Sequence, residues 1–254
     1  MQAGSRERRS RVGQQVASSR YKYVAVRDSL RDEIVRGVFA EDDKLPSEST
    51  LEAKYGVSRV TVRLALDALR KAGLIESRQG KGYFVRRLQV VQDLGRLQGF
   101  GEIMAPLGID VRSEVIELTE VPASIEVQRR LALEKGVSVV RICRIRIVGG
   151  AALSYDVSHF PIDIGQRLAG LDLSRVDIFA LLERELEIEI GYADIALTVV
   201  AADELLAQRL TIAKGDPLVR IVRLTHDREG RPIDFEHLYA RPDSFQFRVR
   251  GPRW

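Results

Sequence analysis

The chain has 254 residues, 45% of them hydrophobic and 30% charged, a balance typical of folded globular proteins rather than of disordered or collagen-like ones. No apolar run approaches the roughly 20 residues that cross a bilayer, and the Arg-rich N-terminus lacks an apolar secretory segment, so a cytoplasmic chain with no membrane contact is expected. Cys143 is the single cysteine, which excludes an internal disulfide and a multi-cysteine metal site; no metal or other cofactor is expected.

Charge is unevenly spread along the chain. Residues 1–90 hold 19 Lys and Arg against 11 Asp and Glu, while the rest holds 21 against 25, so the basic first part is the candidate for meeting a polyanion. Residues 1–20 have no apolar periodicity and are expected to form a disordered basic tail. A first domain is expected over residues 21–87. It opens with Tyr23, Val26, Leu30, Ile34 and Val38 at three- and four-residue steps, one apolar face of a helix ending around Gly37. After an acidic, turn-prone link comes Leu45-Pro46-Ser47-Glu48, where Ser47 caps a short second helix that carries Leu51 and Tyr55 and stops at Gly56.

Val57 alone separates that glycine from Ser58, the N-cap of a third helix whose apolar side is Val62, Ala65, Leu66 and Leu69 and which Gly73 closes. Helices joined so tightly must cross steeply, as in a helix-turn-helix. The opposite side of the third helix is read as Arg59, Thr61, Arg63 and Arg70. Two strands then flank Arg78-Gln79-Gly80-Lys81-Gly82, the tip of a basic hairpin, or wing. Arg59 and Arg63 lie one turn apart and suit bidentate hydrogen bonds to guanine, whereas Ser58 and Thr61 can donate to phosphates or base edges. Lys81 and the amides of Gly80 and Gly82 can approach a phosphate backbone closely.

Residues 88–98 are read as a linker and 99–254 as a second domain. It starts with a helix from Phe100 to Leu107 and then turns to strand patterns. Residues 111–146 align without a gap on 190–225, an offset of 79, with 13 of 36 positions identical. Each copy reads strand, short helix, Lys-Gly turn and an Arg-bearing strand, followed by a hairpin at Gly149-Gly150 or Glu229-Gly230. Two copies are too few for a solenoid, so one pseudo-symmetric α+β domain is expected. Arg144 and Arg146, two apart on one strand, face the same side, and two guanidiniums there suit a carboxylate or phosphate.

Residues 23–85 resemble the winged helix-turn-helix domain of the GntR family of bacterial transcription regulators. The matching residues are Leu45-Pro46-Ser47-Glu48, Gly56-Val57-Ser58-Arg59-Val60-Thr61-Val62-Arg63, Gly73-Leu74-Ile75 and Gly80-Lys81-Gly82-Tyr83. The resemblance implies DNA contacts from Ser47, Glu48, Ser58, Arg59, Thr61, Arg63, Gly80, Lys81 and Gly82. Ser49 departs from the family, which usually has Arg after Pro-Ser-Glu. Residues from about 93 to 250 are similar to the UTRA effector domain of the HutC subfamily, an antiparallel-sheet fold similar to chorismate lyase. The similarity is carried by Phe100, Glu102, Gly108, Leu131 to Gly136, Arg141 to Arg146, Tyr155 to Pro161 and Arg241-Pro242-Asp243. It implies an effector pocket lined by Gly99, Phe100, Arg144, Arg146, Asp156, Asp234, Glu236 and Tyr239.

The expected protein is therefore a non-enzymatic repressor. It would bind a pseudo-palindromic double-stranded DNA operator as a homodimer, under control of a small anionic metabolite. The alternatives are a constitutive DNA binder whose second domain only dimerises, and a lyase-like enzyme with Glu236 as acid or base fused to DNA-binding helices.

Overall fold

The computed structural model describes residues 22–86, 89–109 and 111–253, and the chain divides into two compact units, Met1–Leu88 and Gln89–Trp254. The basic tail expected over 1–20 lies outside the described residues.

In the first unit, α1 covers residues 22–35, α2 is Glu48–Tyr55, α3 is Arg59–Lys71, β1 is Ile75–Arg78 and β2 is Gly82–Val85. Val26, Leu30 and Ile34 of α1 are buried with Leu51, Val62, Leu66 and Leu69. Val38 is exposed, because the helix stops at residue 35 and Gly37 takes a left-handed φ of 75°. Ser47 and Ser58 cap α2 and α3 as read, accepting from the amides of Thr50 and Thr61. The acidic link does more than turn. Asp42 and Leu45 amides donate to Val85 and Tyr83 carbonyls at 2.9 Å, and Val85 returns a bond to Asp43, so this run lies alongside β2 as a third edge of the wing.

The second unit is built on a six-stranded antiparallel sheet of order β4-β5-β6-β9-β8-β7, in which β4 is Arg112–Pro122, β5 Ser138–Val148, β6 Ala151–Pro161, β7 Ile190–Ala201, β8 Pro217–Asp227 and β9 Pro232–Ala240. The order is palindromic about the β6–β9 pair. Each repeat supplies one half: β4, α5 (Ile125–Arg130), β5 and β6, then β7, α8 (Glu204–Leu210), β8 and β9. Between the halves run α6 (Ile162–Ala169) and α7 (Ile178–Arg184). These two pack Ile164, Leu168, Leu181 and Leu182 against Val140, Ile142 and Phe160 on one face of the sheet. On the opposite face α8 lies over Cys143, Ile145 and Tyr155, and α5 over Val139 and Phe235. Gly165 lets α6 approach β5: a Cβ there would fall 2.3 Å from Val140 Cβ.

The segment 88–98, read as a linker, contains β3 (Val90–Asp93), which pairs in parallel with β10 (Phe245–Arg248) in the second unit. Val90 is fully buried, and its amide donates to the Ser244 carbonyl at 2.8 Å. The short run Val-Val-Gln-Asp is thus a strand whose partner comes some 150 residues later in the chain, a pairing no local pattern discloses. The helix expected from Phe100 to Leu107 is α4 (Phe100–Met104) followed by one 3₁₀ turn, Ala105–Leu107. Among the described residues no helix is long and apolar enough to cross a membrane.

Candidate functional site

In the first unit the face of α3 follows from helical rotation of roughly 100° per residue. Positions 61, 62, 65, 66 and 69 fall in one arc and are buried, while 59, 60, 63, 64 and 70 fall in the complementary arc and are exposed. Arg59 and Arg63 lie there, their side chains 64% and 61% exposed. Thr61, expected to face DNA, is only 4% exposed: it sits in the inner arc beside Val62, with its hydroxyl 2.9 Å from Ser58 Oγ. Val60 and Leu64 take the outer place instead, at 67% and 48% exposure. Sequence reading assigned neither residue to a face. Their adjacency to Arg59 and Arg63 on the helical wheel was the available signal.

Glu48, the first residue of α2, holds both arginines. Its carboxylate accepts from Arg59 Nε at 2.8 Å and Arg63 Nε at 3.0 Å, and the Arg59 hydrogen bond keeps its pKa below the ordinary carboxylate value. Glu48, expected to contact DNA, thus pairs with the two guanidiniums and orders them. The wing tip follows the glycine pattern: Gly80 and Gly82 have φ of 71° and 108°, and Lys81 between them is exposed. Arg78 stacks on the Phe84 ring at 4.3 Å and pairs with Glu76 and Asp42, which stiffens the hairpin base. Between the start of α2 and the wing is a cleft of about 540 Å³ lined by Lys44, Pro46, Ser47, Ser49, Arg59 and Lys81. Ser49 lies within it, its hydroxyl 2.8 Å from Ser47 Oγ.

In the second unit a polar cluster is buried on the α6/α7 face of the sheet. Strand alternation puts Arg144, Arg146, Ser154, Asp156, Ser158, Asp234 and Glu236 on that side. Arg146 Nε donates to Asp156 Oδ2 at 2.7 Å, Arg144 Nη2 lies 3.8 Å from the same oxygen, and Ser154 donates to Asp156 Oδ1 at 3.0 Å. Arg223 Nη2 lies 2.6 Å from Glu236 Oε2, and its guanidinium stacks on Phe179 at 4.6 Å.

Phe100 supplies the ring beneath Arg146, at 5.1 Å. Gly99 is the N-cap of α4, where any Cβ would meet Asp177 Oδ1 at 2.2 Å. Asp177 accepts from the Gly101 amide at 3.1 Å, approaches Arg146 Nη1 at 3.5 Å and caps α7 through the Phe179 amide. Burial opposes the charge on Asp177, but Arg146 and the Gly101 amide outweigh it and hold its pKa low. At Asp234 burial prevails instead: with the Glu236 carboxylate beside it, its pKa is raised well above the usual range.

Asp177 and Arg223 were missed in the sequence. For Arg223 the signal was present, since it is the repeat mate of Arg144 at the offset of 79; Asp177 lies in the insertion between repeats, where no periodicity points to it. Tyr239 does not join the cluster. As an odd-numbered residue of β9 it faces the opposite side, where it lines a cleft of about 330 Å³ with Glu117, Arg141, Cys143, Tyr155 and Leu206. Burial pushes the Cys143 thiol and the Tyr239 hydroxyl above their ordinary pKa values there. Among the described residues no group of three or more His, Cys, Asp or Glu side chains is arranged to hold a metal ion.

Comparison with known proteins gives two family matches: residues 22–85 match the bacterial regulatory proteins of the gntR family, and residues 107–246 match the UTRA domain. The chain is 26% identical over 241 residues to a probable fructoselysine utilization operon transcriptional repressor of Escherichia coli K12, covering 93% of this chain and 99% of that protein. It is 29% identical over 225 residues to the HTH-type transcriptional repressor NagR of Bacillus subtilis, covering 89% and 92%. The crystal structure of PhnF from Mycobacterium smegmatis has a similar fold, with a TM-score of 0.65 at 21% identity over 89% of this chain and 99% of that one.

Proposed function

The chain belongs to the gntR family of bacterial regulatory proteins, in the branch that carries a UTRA effector domain, and from that premise we propose how it works as a transcriptional regulator. It reads a pseudo-palindromic operator as a homodimer, each protomer placing the outer arc of α3 in a major groove and its wing against the flanking backbone. Arg59 and Arg63 contact guanine edges, Val60 and Leu64 offer apolar surface to thymine methyl groups, and Lys44 and Lys81 meet phosphates. One helix-turn-helix reads a single half-site, so a two-fold protein suits a two-fold site. The observation that carries this reading is the outer arc itself: two exposed arginines interleaved with two exposed apolar residues, ordered from behind by Glu48.

The buried cluster of the second unit binds a small anionic metabolite through Arg144 and Arg146, with Gly99, Phe100, Asp156, Asp234 and Glu236 around it. Binding lowers operator affinity. A coupling of about 1–3 kcal/mol, some 5- to 150-fold, is sufficient for control. Relatives named as transcriptional repressors, one of them of a fructoselysine utilization operon, support repression and an effector of metabolic origin.

The test is selection of operator sequences from a random pool with the purified chain, followed by sedimentation of the complex. Recovered sequences without two related half-sites, or a complex containing one protomer per site, would refute this reading. Unchanged operator affinity across a broad panel of anionic metabolites would favour a constitutive binder.

A further inference from the structure

We infer that the buried cluster is a two-poled site for a zwitterion: an anionic group set against Arg144 and Arg146, and a protonated amine set against Asp234 and Glu236. The inference deepens the effector reading above and rests on it.

The balance of charge comes first. Arg144, Arg146 and Arg223 supply three guanidiniums, and Asp156, Asp177, Asp234 and Glu236 supply four carboxyls, every one of these side chains about nine-tenths or more buried. A site made only for an anion would carry spare positive charge; this one carries a spare carboxyl. Adding a bare anion to carboxylates in a medium of low polarity increases their repulsion, whereas an anion tethered to a cation brings its own compensation. Asp234 is the surplus carboxyl, with Glu236 as its close neighbour, and a protonated amine set against the pair lets it release the proton it otherwise keeps.

The second observation is which atoms lack a hydrogen-bond partner among the described residues. Within the cluster they include donors at Arg144 Nη1 and Arg223 Nε, an acceptor at Asp234 Oδ1, and the hydroxyl Thr225 Oγ1. Buried polar atoms are ordinarily satisfied, so unfilled donors and an unfilled acceptor in one cluster call for a ligand bearing both kinds of group.

The two halves of the sheet supply a third, independent argument. Arg144 stands opposite Asp156 on β5/β6, and Arg223 opposite Glu236 on β8/β9. The next same-face pair is Arg146 opposite Ser154 in the first half and Thr225 opposite Asp234 in the second. The repeat keeps one ion pair in both halves, then adds a cation in one and a carboxyl in the other. The site thereby becomes polar across its pseudo-two-fold axis. Strands β5 and β9 are separated only by β6, about 10 Å at the usual strand spacing, so a ligand several atoms long spans the poles once the side chains reach inward.

The probes are ethanolamine phosphate and 4-aminobutyl phosphate, each compared with its hydroxyl counterpart, together with inorganic phosphate, titrated calorimetrically into the full chain. At least one amine is expected to bind about tenfold or more tightly than its hydroxyl counterpart, with the preference falling to about threefold or less in Asp234→Asn. Glu236→Gln provides a second variant should the first fail to fold. Phosphates that bind with no preference for the amine would overturn the cationic pole and leave the anionic effector reading standing. A preference that survives both substitutions would place the amine elsewhere and overturn the assignment. Failure of all five probes to bind would overturn both readings.

Discussion

Replacing Asp234 with asparagine is expected to stabilise the chain at neutral pH, by a margin that shrinks as pH falls and vanishes only below about pH 3. The carboxyl is 1% exposed, and burial followed by the neighbouring Glu236 raises its pKa well above 3.8, against the smaller opposing influence of Arg223 and Arg144. The sign follows from proton counting. Below the unfolded pKa both states hold the proton and Asp234 costs nothing. As pH rises through the usual carboxylate range the unfolded chain releases the proton while the folded chain keeps it, so folding stability falls until the folded pKa is passed. Each unit by which the folded pKa is raised costs about 1.4 kcal/mol. For a chain of this size that is roughly 3–6 °C in Tm per unit. Asparagine has the same shape and no proton to manage, and Asp234 Oδ1 has no hydrogen bond to lose among the described residues. Scanning calorimetry of both proteins from pH 4 to pH 8 should therefore give a Tm difference that grows with pH and favours the variant. A difference independent of pH, or a variant less stable at pH 7.5, would refute the reasoning.

Arg63→Ala should cost about 1–3 kcal/mol of discrimination against mismatched operators, whereas Lys81→Ala should weaken binding to all sequences alike and flatten the salt dependence by about one counterion; titrations at several salt concentrations separate the two. Thr61→Val should leave operator affinity within about threefold, because Thr61 lies in the inner arc of α3; a loss as large as that of Arg63→Ala would put Thr61 back at the interface. Asp177→Ala should lower unfolding free energy by about 1 kcal/mol for the lost α7 cap and further for the unpaired Arg146, while Asp177→Ser should recover the cap alone, as read by urea denaturation. Gly165→Ala should destabilise by about 1–3 kcal/mol, since its Cβ would overlap Val140, and a wild-type Tm would contradict the packing of α6 on β5.

What the sequence disclosed depended on whether the determining forces were local. Capping at Ser47 and Ser58, the left-handed glycines and the wing tip are set within four or five residues of chain, and they stand where the pattern put them. The repeat was also legible, because duplicated strands keep their apolar alternation, and the palindromic sheet order is its three-dimensional form. Pairing at a distance was hidden. β3 looked like a linker because its partner β10 lies at the far end of the chain, and Asp177 had no pattern of its own because its role is set by where α7 meets α4 and Arg146. The errors at Thr61 and Tyr239 have a different origin. Both residues carry polar groups of the right chemistry; Thr61 was read onto the outer face of its helix and Tyr239 was placed by resemblance, whereas helix rotation and strand parity assign each to the other side.

Parity also explains why two unrelated environments coexist on neighbouring residues of the same strands. On β5, Cys143 and Ile145 belong to an apolar layer under α8, while Arg144 and Arg146, alternating with them, lie in the charged cluster under α7. A one-residue slip of β5 against β6 would bury both arginines among hydrophobic side chains and expose their carboxylate partners to the wrong face, at a cost of several kcal/mol per unpaired ion. The ion pairs thus fix register as well as lining the proposed site. That dual role constrains how an effector can act: it cannot simply take Arg146 from Asp156 without supplying an anion in its place, because the abandoned charges would cost more than the 1–3 kcal/mol that regulation needs, as rough magnitudes. Exchange of one partner for another, with the strands held in register, is the change the sheet can tolerate. The movable partner is then Asp177, which is tied to a helix cap rather than to a strand.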